Sequence, residues 1–241
     1  MAGSLFLAIS GSTILNMWYD RDIDALMQRT CWRPLPTGQI GPNEALALGF
    51  LLALAGTVGA LALNPLFGTI LFAGVFFDVL TYTMWLKRRT PWSIIWGGIA
   101  GAMPLLAGRA LAVGHVDWIG LTLAAAILFW IPTHVLTFGM HYLVDYERAG
   151  IPTVPALYGF RRTRAIIALS SILAVAAMAL AAAGIGLTAG YWAVLLVISG
   201  ALFVLVTMSM IRPSPRLDFS LFKRASLYML SAMLIIVTGT L

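Results

Sequence analysis

The sequence predicts an all-α protein, a polytopic bundle of membrane-spanning helices, from three observations. Of its 241 residues, 61% are hydrophobic and only 10% are charged, whereas an ordinary soluble domain carries roughly 25% charged residues. The apolar residues gather into eight runs, most of them close to the roughly 20 residues that cross a bilayer. All but one of the basic residues lie in every second connection between these runs. We therefore expect a single transmembrane domain over residues 1–241.

The eight predicted spans follow one another with short connections. The first is the shortest and lies at the low end of the length that crosses a bilayer. The predicted spans are residues 2–19, 44–63, 65–86, 92–111, 117–142, 164–186, 190–211 and 224–241.

The distribution of positive charge predicts the topology. The connections 20–43, 87–91, 143–164 and 212–224 together carry 14 of the 15 Lys and Arg residues. Loops rich in Lys and Arg stay on the cytoplasmic side of a cell membrane, so these four connections are predicted to face the cytoplasm. The net charge of +6 is explained by this topology, and it does not indicate a nucleic-acid partner.

An amide and two carboxylates lie four residues apart where the first apolar run ends. Four residues of α-helix turn the chain by about 400°, so Asn16, Asp20 and Asp24 are expected to share one face. Carboxylates packed together repel each other and raise each other's pKa. The spacing therefore predicts a cation beside them.

A second acidic segment, with Asp145 and Glu147, also directly follows a predicted span. If the bundle brings the two segments together, their oxygens suit Mg²⁺, which binds a few carboxylates and substrate phosphates. The neighbouring basic residues could then bind a diphosphate; they are Arg29, Arg33, Lys87, Arg88 and Arg89. The alternative is that these acids only cap helices and neutralise nearby arginines.

Longer stretches of sequence resemble one family. Asn16 to Asp24 leads into residues 27–38, M-Q-R-T-C-W-R-P-L-P-T-G. Residues 82–91 are Y-T-M-W-L-K-R-R-T-P, residues 97–104 are G-G-I-A-G-A-M-P, residues 130–134 are W-I-P-T-H, and residues 145–152 are D-Y-E-R-A-G-I-P. Together they resemble the UbiA superfamily of intramembrane prenyltransferases, and within it the branch of protoheme IX farnesyltransferases, or haem O synthases. The resemblance covers residues 12 to 160.

The resemblance implies Mg²⁺-dependent transfer of a farnesyl group from farnesyl diphosphate to a vinyl group of haem b, which yields haem O for terminal oxidases. It implies metal-binding and catalytic roles for Asn16, Asp20, Asp24 and Asp145. Substrate-binding roles fall to Arg29, Arg33, Lys87, Arg88, His134 and Tyr146. Besides the two substrates, the expected partner is membrane lipid; a haem A synthase or oxidase assembly partner cannot be named.

The chain departs from that family in three places. A further helix with a T-K-P-R-like motif is missing before residue 1, so that eight spans are predicted where nine are expected, and we interpret the domain as truncated at its N-terminus. Arg109 stands where that branch usually has Trp, and Ser93 where Asn is common. In the second motif, Ala149 stands where the superfamily often has a second Asp.

Two polar residues inside predicted spans allow two interpretations each. Asp78 lies outside the family motifs, and an acid within a membrane is a functional candidate; it either lines a substrate cavity or makes a hydrogen-bonded contact between helices. His134 is either a haem contact or iron ligand or a buried hydrogen-bonding histidine.

The sequence is compatible with two other functions. A related transferase would use a quinone precursor or a glycerol lipid as its acceptor. A non-enzymatic haem carrier or transporter would instead use Asp78 and His134 as its intramembrane polar sites.

Overall fold

The computed structural model describes residues 1–239, and all regular structure in that range is helical. The helices are α1 (Ala2–Tyr19), α2 (Arg21–Leu26), α3 (Pro42–Leu63), α4 (Pro65–Val75), α5 (Ser93–Val113), α6 (Trp118–His141), α7 (Leu143–Arg148), α8 (Val154–Ile185), α9 (Ala189–Ile211) and α10 (Pro215–Thr238). Helix α4 continues directly into a π-helix, Phe76–Leu86. The predicted all-α membrane bundle is confirmed.

Seven helical segments among the described residues are long and apolar enough to cross a membrane. They match seven of the eight predicted spans, and the span predicted over residues 65–86 has the same limits as α4 with its π-helix. The first predicted span is helical, as α1, but it is not one of the seven. The chain is an integral membrane protein.

Two helices begin about ten residues before the predicted spans. Helix α8 begins at Val154 and not near residue 164, with a break at Gly159 (φ 75°, ψ 165°). Helix α10 begins at Pro215 and not near residue 224; residues 240 and 241 of that predicted span lie outside the described part of the chain. The predicted spans begin after charged residues, whereas the helices include those residues. Arg161, Arg162 and Lys223 are exposed on the helices, and one pair of charges lies within the fold.

The pairing involves Arg164 of α8 and Asp218 of α10. Arg164 donates from Nε and Nη2 to the two Asp218 oxygens at 3.1 and 2.6 Å, and the Ser209 hydroxyl of α9 donates to the same carboxylate at 2.7 Å. Asp218 is buried. Because a buried charge is tolerated when it is paired and hydrogen-bonded, the helices continue through these residues.

The chain forms two compact units, each assembled from two separate segments. Unit 1 contains residues 1–116 and 143–153, and therefore helices α1 to α5 with α7. Unit 2 contains residues 117–142 and 154–239, and therefore α6 with α8 to α10. The short segment that carries Asp145 thus belongs to the same unit as the segment that carries Asp20. The single-domain expectation stays a prediction.

Glycines set the closest helix contact of unit 1. An added Cβ on Gly11 of α1 would lie 2.2 Å from the Ala53 backbone nitrogen of α3, and one on Gly56 of α3 would lie 2.3 Å from the Ala8 nitrogen of α1. Small residues allow membrane helices to approach this closely. This contact fixes α1, whose C-terminal end carries the first acidic motif.

We expect Gly11→Ala to destabilise the protein by about 1–3 kcal/mol, because overpacking a close contact forces backbone shifts of that cost. The measurement is the thermal unfolding midpoint of the purified protein in detergent. Gly3→Ala is the matched control on the same helix, since a Cβ there has no heavy atom within 4 Å. Equal midpoints for the two variants would contradict the packing described for α1 and α3.

Candidate active site

The first acidic motif lies on an almost continuous helical path. The Asp20 N–H donates to the Asn16 carbonyl at 2.9 Å, and the Asp24 N–H donates to the Asp20 carbonyl at 2.8 Å. These bonds join α1 to α2 and preserve the four-residue steps between the three side chains. Asp20 and Asp24 are 4% and 5% exposed, whereas the Asp22 side chain between them is 61% exposed.

Basic side chains from two other segments meet these carboxylates. The Lys87 ammonium, at the end of the π-helix, contacts Asp20 Oδ2. Arg33 Nη1 lies 2.8 Å from Asp24 Oδ2. The predicted cations beside the acids are therefore present as protein side chains, and both of them belong to the set expected to bind diphosphate.

Arg88 joins the exposed acid to the buried one. Its Nη1 and Nη2 donate to the two Asp22 oxygens, both at 2.7 Å, and its Nη2 lies 3.6 Å from Asp20 Oδ1. Hydrogen bonding with Arg88 lowers the pKa of Asp22, and the same bonds raise the pKa of Arg88. Burial raises the pKa of the Asp20 carboxyl, and the charges of Lys87 and Arg88 oppose that rise.

Asn16 is held at both ends of its amide by the π-helix. Its Nδ2 donates to Asp78 Oδ2 at 3.0 Å, and its Oδ1 accepts from the Thr83 hydroxyl at 2.9 Å. The interhelical interpretation of Asp78 is thus correct, and Asp78 also lines a cavity of about 300 Å³. Sequence reasoning missed Thr83, because a hydroxyl in an apolar run gives no functional signal.

The second acidic segment packs against the first through apolar side chains. Ile151 forms a buried cluster with Ile23 of α2 and Met27, and Tyr146 and Ala149 pack on that cluster. Asp145 is buried at 7% exposure, whereas Glu147 is exposed.

Tyr146 also meets the basic residues of the first segment. Burial raises the pKa of Tyr146, while a hydrogen bond with Arg29 and the charges of Arg29 and Lys87 oppose the rise. Of the metal-binding and substrate-binding residues predicted from the sequence, unit 1 thus contains all except His134.

The oxygen donors of unit 1 suit a magnesium ion. Asp20 Oδ1 is buried and accepts no hydrogen bond, and Asp24 and Asp145 are buried carboxylates. Among residues 1–239 no three His, Cys, Asp or Glu side chains lie close enough together to hold a metal ion. Magnesium commonly uses one or two protein carboxylates and completes its shell with water and substrate phosphates, so one or two of these carboxylates at each ion fit Mg²⁺.

His134 lies on α6 in unit 2 and contacts α10. Its ring lies between Trp130 and Phe222, with centroid distances of 4.8 and 4.4 Å. Nδ1 is 2.9 Å from the Ser226 hydroxyl, which itself donates to the Phe222 carbonyl at 2.9 Å. Because Ser226 has a single hydroxyl hydrogen, we assign the hydrogen of His134 to Nδ1 and the lone pair to Nε2.

The sequence is similar to those of several protoheme IX farnesyltransferases. A protoheme IX farnesyltransferase of Archaeoglobus fulgidus is 46% identical over 182 residues, which are 76% of this chain and 63% of that protein. One from Korarchaeum cryptofilum is 43% identical over 173 residues, 72% of this chain and 59% of that protein. The chain thus spans about 60% of the length of these two relatives.

Solved structures share the fold at low sequence identity. A structure of digeranylgeranylglyceryl phosphate synthase matches 98% of this chain and 82% of its own, with a TM-score of 0.80 and 19% identity. A UbiA homologue from Archaeoglobus fulgidus, bound to GPP and Mg²⁺, matches 98% of this chain and 89% of its own, with a TM-score of 0.67 and 17% identity. Residues 1–231 match the UbiA prenyltransferase family, and the chain belongs to that family.

Proposed function

We propose that this protein transfers a farnesyl group from farnesyl diphosphate to a vinyl group of haem b, with Mg²⁺, and so forms haem O. The observation that carries the proposal is the burial of Asp20 and Asp24 beside Lys87 and Arg33. This arrangement suits a metal diphosphate, because carboxylates can bind the metal ion and basic side chains can bind the diphosphate oxygens. The names of the relatives at 43% and 46% identity support haem b as the acceptor and farnesyl as the donor group.

The acidic residues would hold the metal. The proposed ligands are Asn16, Asp20, Asp24 and Asp145, with one or two of the three carboxylates at each Mg²⁺ ion. The first of them is Asp20, whose Oδ1 is buried and accepts no hydrogen bond. When bound, Mg²⁺ would neutralise negative charge on the departing diphosphate.

The basic residues would bind the diphosphate oxygens. Lys87 and Arg88 are the first candidates, since both already lie at Asp20 and each can exchange a carboxylate for a phosphate oxygen. Charge-assisted bonds of this kind are stronger than neutral ones. Arg29 and Arg33 complete the set, and Tyr146 would orient the substrate through its contact with Arg29.

The reaction needs no side-chain nucleophile. The bond between C1 of the farnesyl group and the diphosphate oxygen breaks, and its electron pair leaves with the diphosphate. The vinyl group supplies the electron pair for the new carbon–carbon bond, and water adds to the resulting cation and loses a proton. The residues of the site supply electrostatic stabilisation that exists before the charge develops.

His134 is the proposed haem contact. The lone pair on Nε2 suits the haem iron, and the bond from Nδ1 to Ser226 is the type of outer contact that orients a histidine ligand. The rings of Trp130 and Phe222 on either side would keep the imidazole in place.

The proposed location is the cell membrane, with the acidic motifs and basic connections on the cytoplasmic side. The uneven distribution of Lys and Arg supports this orientation.

Incubating the purified protein with haem b, farnesyl diphosphate and Mg²⁺ should give a heavier haem by mass spectrometry, and chelation of the metal should abolish the product. Haem b left unchanged, while a phenol or a glycerol phosphate is prenylated, would contradict the haem assignment.

We expect Asp20→Asn, Asp24→Asn and Asp145→Asn each to lower kcat about 100-fold or more, the effect of removing one electrostatic stabiliser from an active site. Each variant should still bind haem b. Glu147→Gln is the matched control, since Glu147 is an exposed acid on the same short helix as Asp145. A carrier would tolerate all four changes, whereas formation of haem O at the wild-type rate in the three Asn variants would contradict the roles proposed for these carboxylates.

His134→Phe keeps an aromatic ring between Trp130 and Phe222 but removes both nitrogens. We expect it to weaken haem b binding about tenfold or more and to shift the main haem absorption band, measured by titration of the protein with haem b. His141→Phe is the control, because His141 is an exposed residue on the same helix. Identical spectra for wild type and His134→Phe would remove His134 from the proposed haem site.

A further inference from the structure

We propose that Asp78 is a positioning residue for the active site: its carboxylate fixes the Asn16 amide so that Oδ1, and not Nδ2, is presented to the metal diphosphate. The proposal rests on the proposed function, because it assumes that Asn16 is a ligand of the metal. It assigns a role to the acid that lies within a membrane-spanning helix and outside both acidic motifs.

The orientation of an asparagine amide decides whether it can bind a cation. Its oxygen is an acceptor and its nitrogen carries two hydrogens, so a half-turn of the amide would present donors to the metal. Asp78 Oδ2 accepts the hydrogen bond from Asn16 Nδ2 at 3.0 Å. Asp78 therefore stabilises the orientation in which Nδ2 faces it, and it would repel the amide oxygen in the flipped orientation.

The hydrogen bond from Thr83 stabilises the same orientation of the Asn16 amide. The Thr83 hydroxyl donates to Oδ1 at 2.9 Å while Asp78 accepts from Nδ2 at 3.0 Å. A carbonyl-type oxygen has two lone pairs, and Thr83 uses one of them. The other lone pair remains for a cation.

The π-helix makes this double contact possible. In an α-helix, residues five apart are rotated by about 140° from each other, so Asp78 and Thr83 would not share a face. In the π-helix, hydrogen bonds join residues five apart, as the Lys87 N–H does with the Tyr82 carbonyl at 2.8 Å. Residues 78 and 83 are thereby separated by about one turn, and both reach Asn16.

An acid in a membrane span is expensive unless it has partners. The only hydrogen bond to the Asp78 side chain among the described residues comes from Asn16. If residue 78 only packed against its neighbours, an apolar residue there would avoid the free-energy cost of placing an acid in the membrane. An outer contact that orients a metal ligand typically changes metal affinity 10–100-fold when it is removed, which gives the acid a function that offsets its cost.

The test compares metal binding with turnover in four variants. Asp78→Leu removes the acceptor and Thr83→Val removes the donor, while Asp78→Asn retains an acceptor oxygen at the same place. Thr81→Val is the control, a buried threonine on the same π-helix whose side chain does not hydrogen-bond Asn16. Binding is measured with Mn²⁺ by electron paramagnetic resonance, in the presence of a farnesyl thiodiphosphate that does not ionise, and turnover by haem O formation.

We expect Asp78→Leu and Thr83→Val to raise the Mn²⁺ dissociation constant about tenfold and to raise the Mg²⁺ concentration needed for half-maximal turnover by the same factor. Asp78→Asn should restore both values to within threefold of wild type, and Thr81→Val should leave them unchanged. In an Asn16→Ala background, Asp78→Leu should have no further effect, because residues that act through one contact are not additive.

Wild-type metal affinity in Asp78→Leu, or the same loss of affinity with and without Asn16, would overturn the proposal. Wild-type protein that binds Mn²⁺ with the thiodiphosphate but prenylates an acceptor other than haem would refute the proposed function, while the metal affinities would still decide the role of Asp78. A wild-type protein that binds no Mn²⁺ would refute both.

Discussion

The cost of burying carboxylates at the end of a membrane helix governs the arrangement of unit 1. An ionised carboxylate removed from water is strongly destabilised unless an opposite charge and hydrogen bonds replace the solvent. Asp20 and Asp24 are almost fully buried, and their cationic partners come from other parts of the chain: Lys87 from the end of the π-helix and Arg33 from the connection after α2. Pairing is therefore a condition of the fold, and it gathers the groups that a metal diphosphate requires.

The need to pair buried acids also explains why the π-helix and the inserted segment 143–153 lie in unit 1 with these acids. The π-helix carries Asp78 and Thr83 to Asn16 and ends at Lys87. The chain also interrupts unit 2 to supply residues 143–153, with Asp145, to unit 1. Regular α-helices suffice for spanning a membrane, whereas these two departures bring polar groups to one place. Departures of this type are frequent at functional sites.

The sequence predicts much of this arrangement, and the remainder depends on contacts that are distant in the chain. Hydropathy located seven of the spans, and the four-residue spacing anticipated the shared face of Asp20 and Asp24. Helices α8 and α10 extend about ten residues beyond the starts of the predicted spans, and the ion pair of Arg164 with Asp218 in these extensions joins residues 54 positions apart in the chain. The partnership of Asn16 with Thr83 could not be predicted, since an α-helical reading places residues 78 and 83 on different faces.

The central claim is that the buried acids and their basic partners form the binding site of a metal diphosphate. The most direct measurement is a structure of the protein with Mg²⁺ and farnesyl thiodiphosphate. We predict metal density beside Asp20 Oδ1 and Asn16 Oδ1, with Lys87 moved from the carboxylate to a phosphate oxygen. A diphosphate bound elsewhere, with the contact between Lys87 and Asp20 intact, would contradict the account.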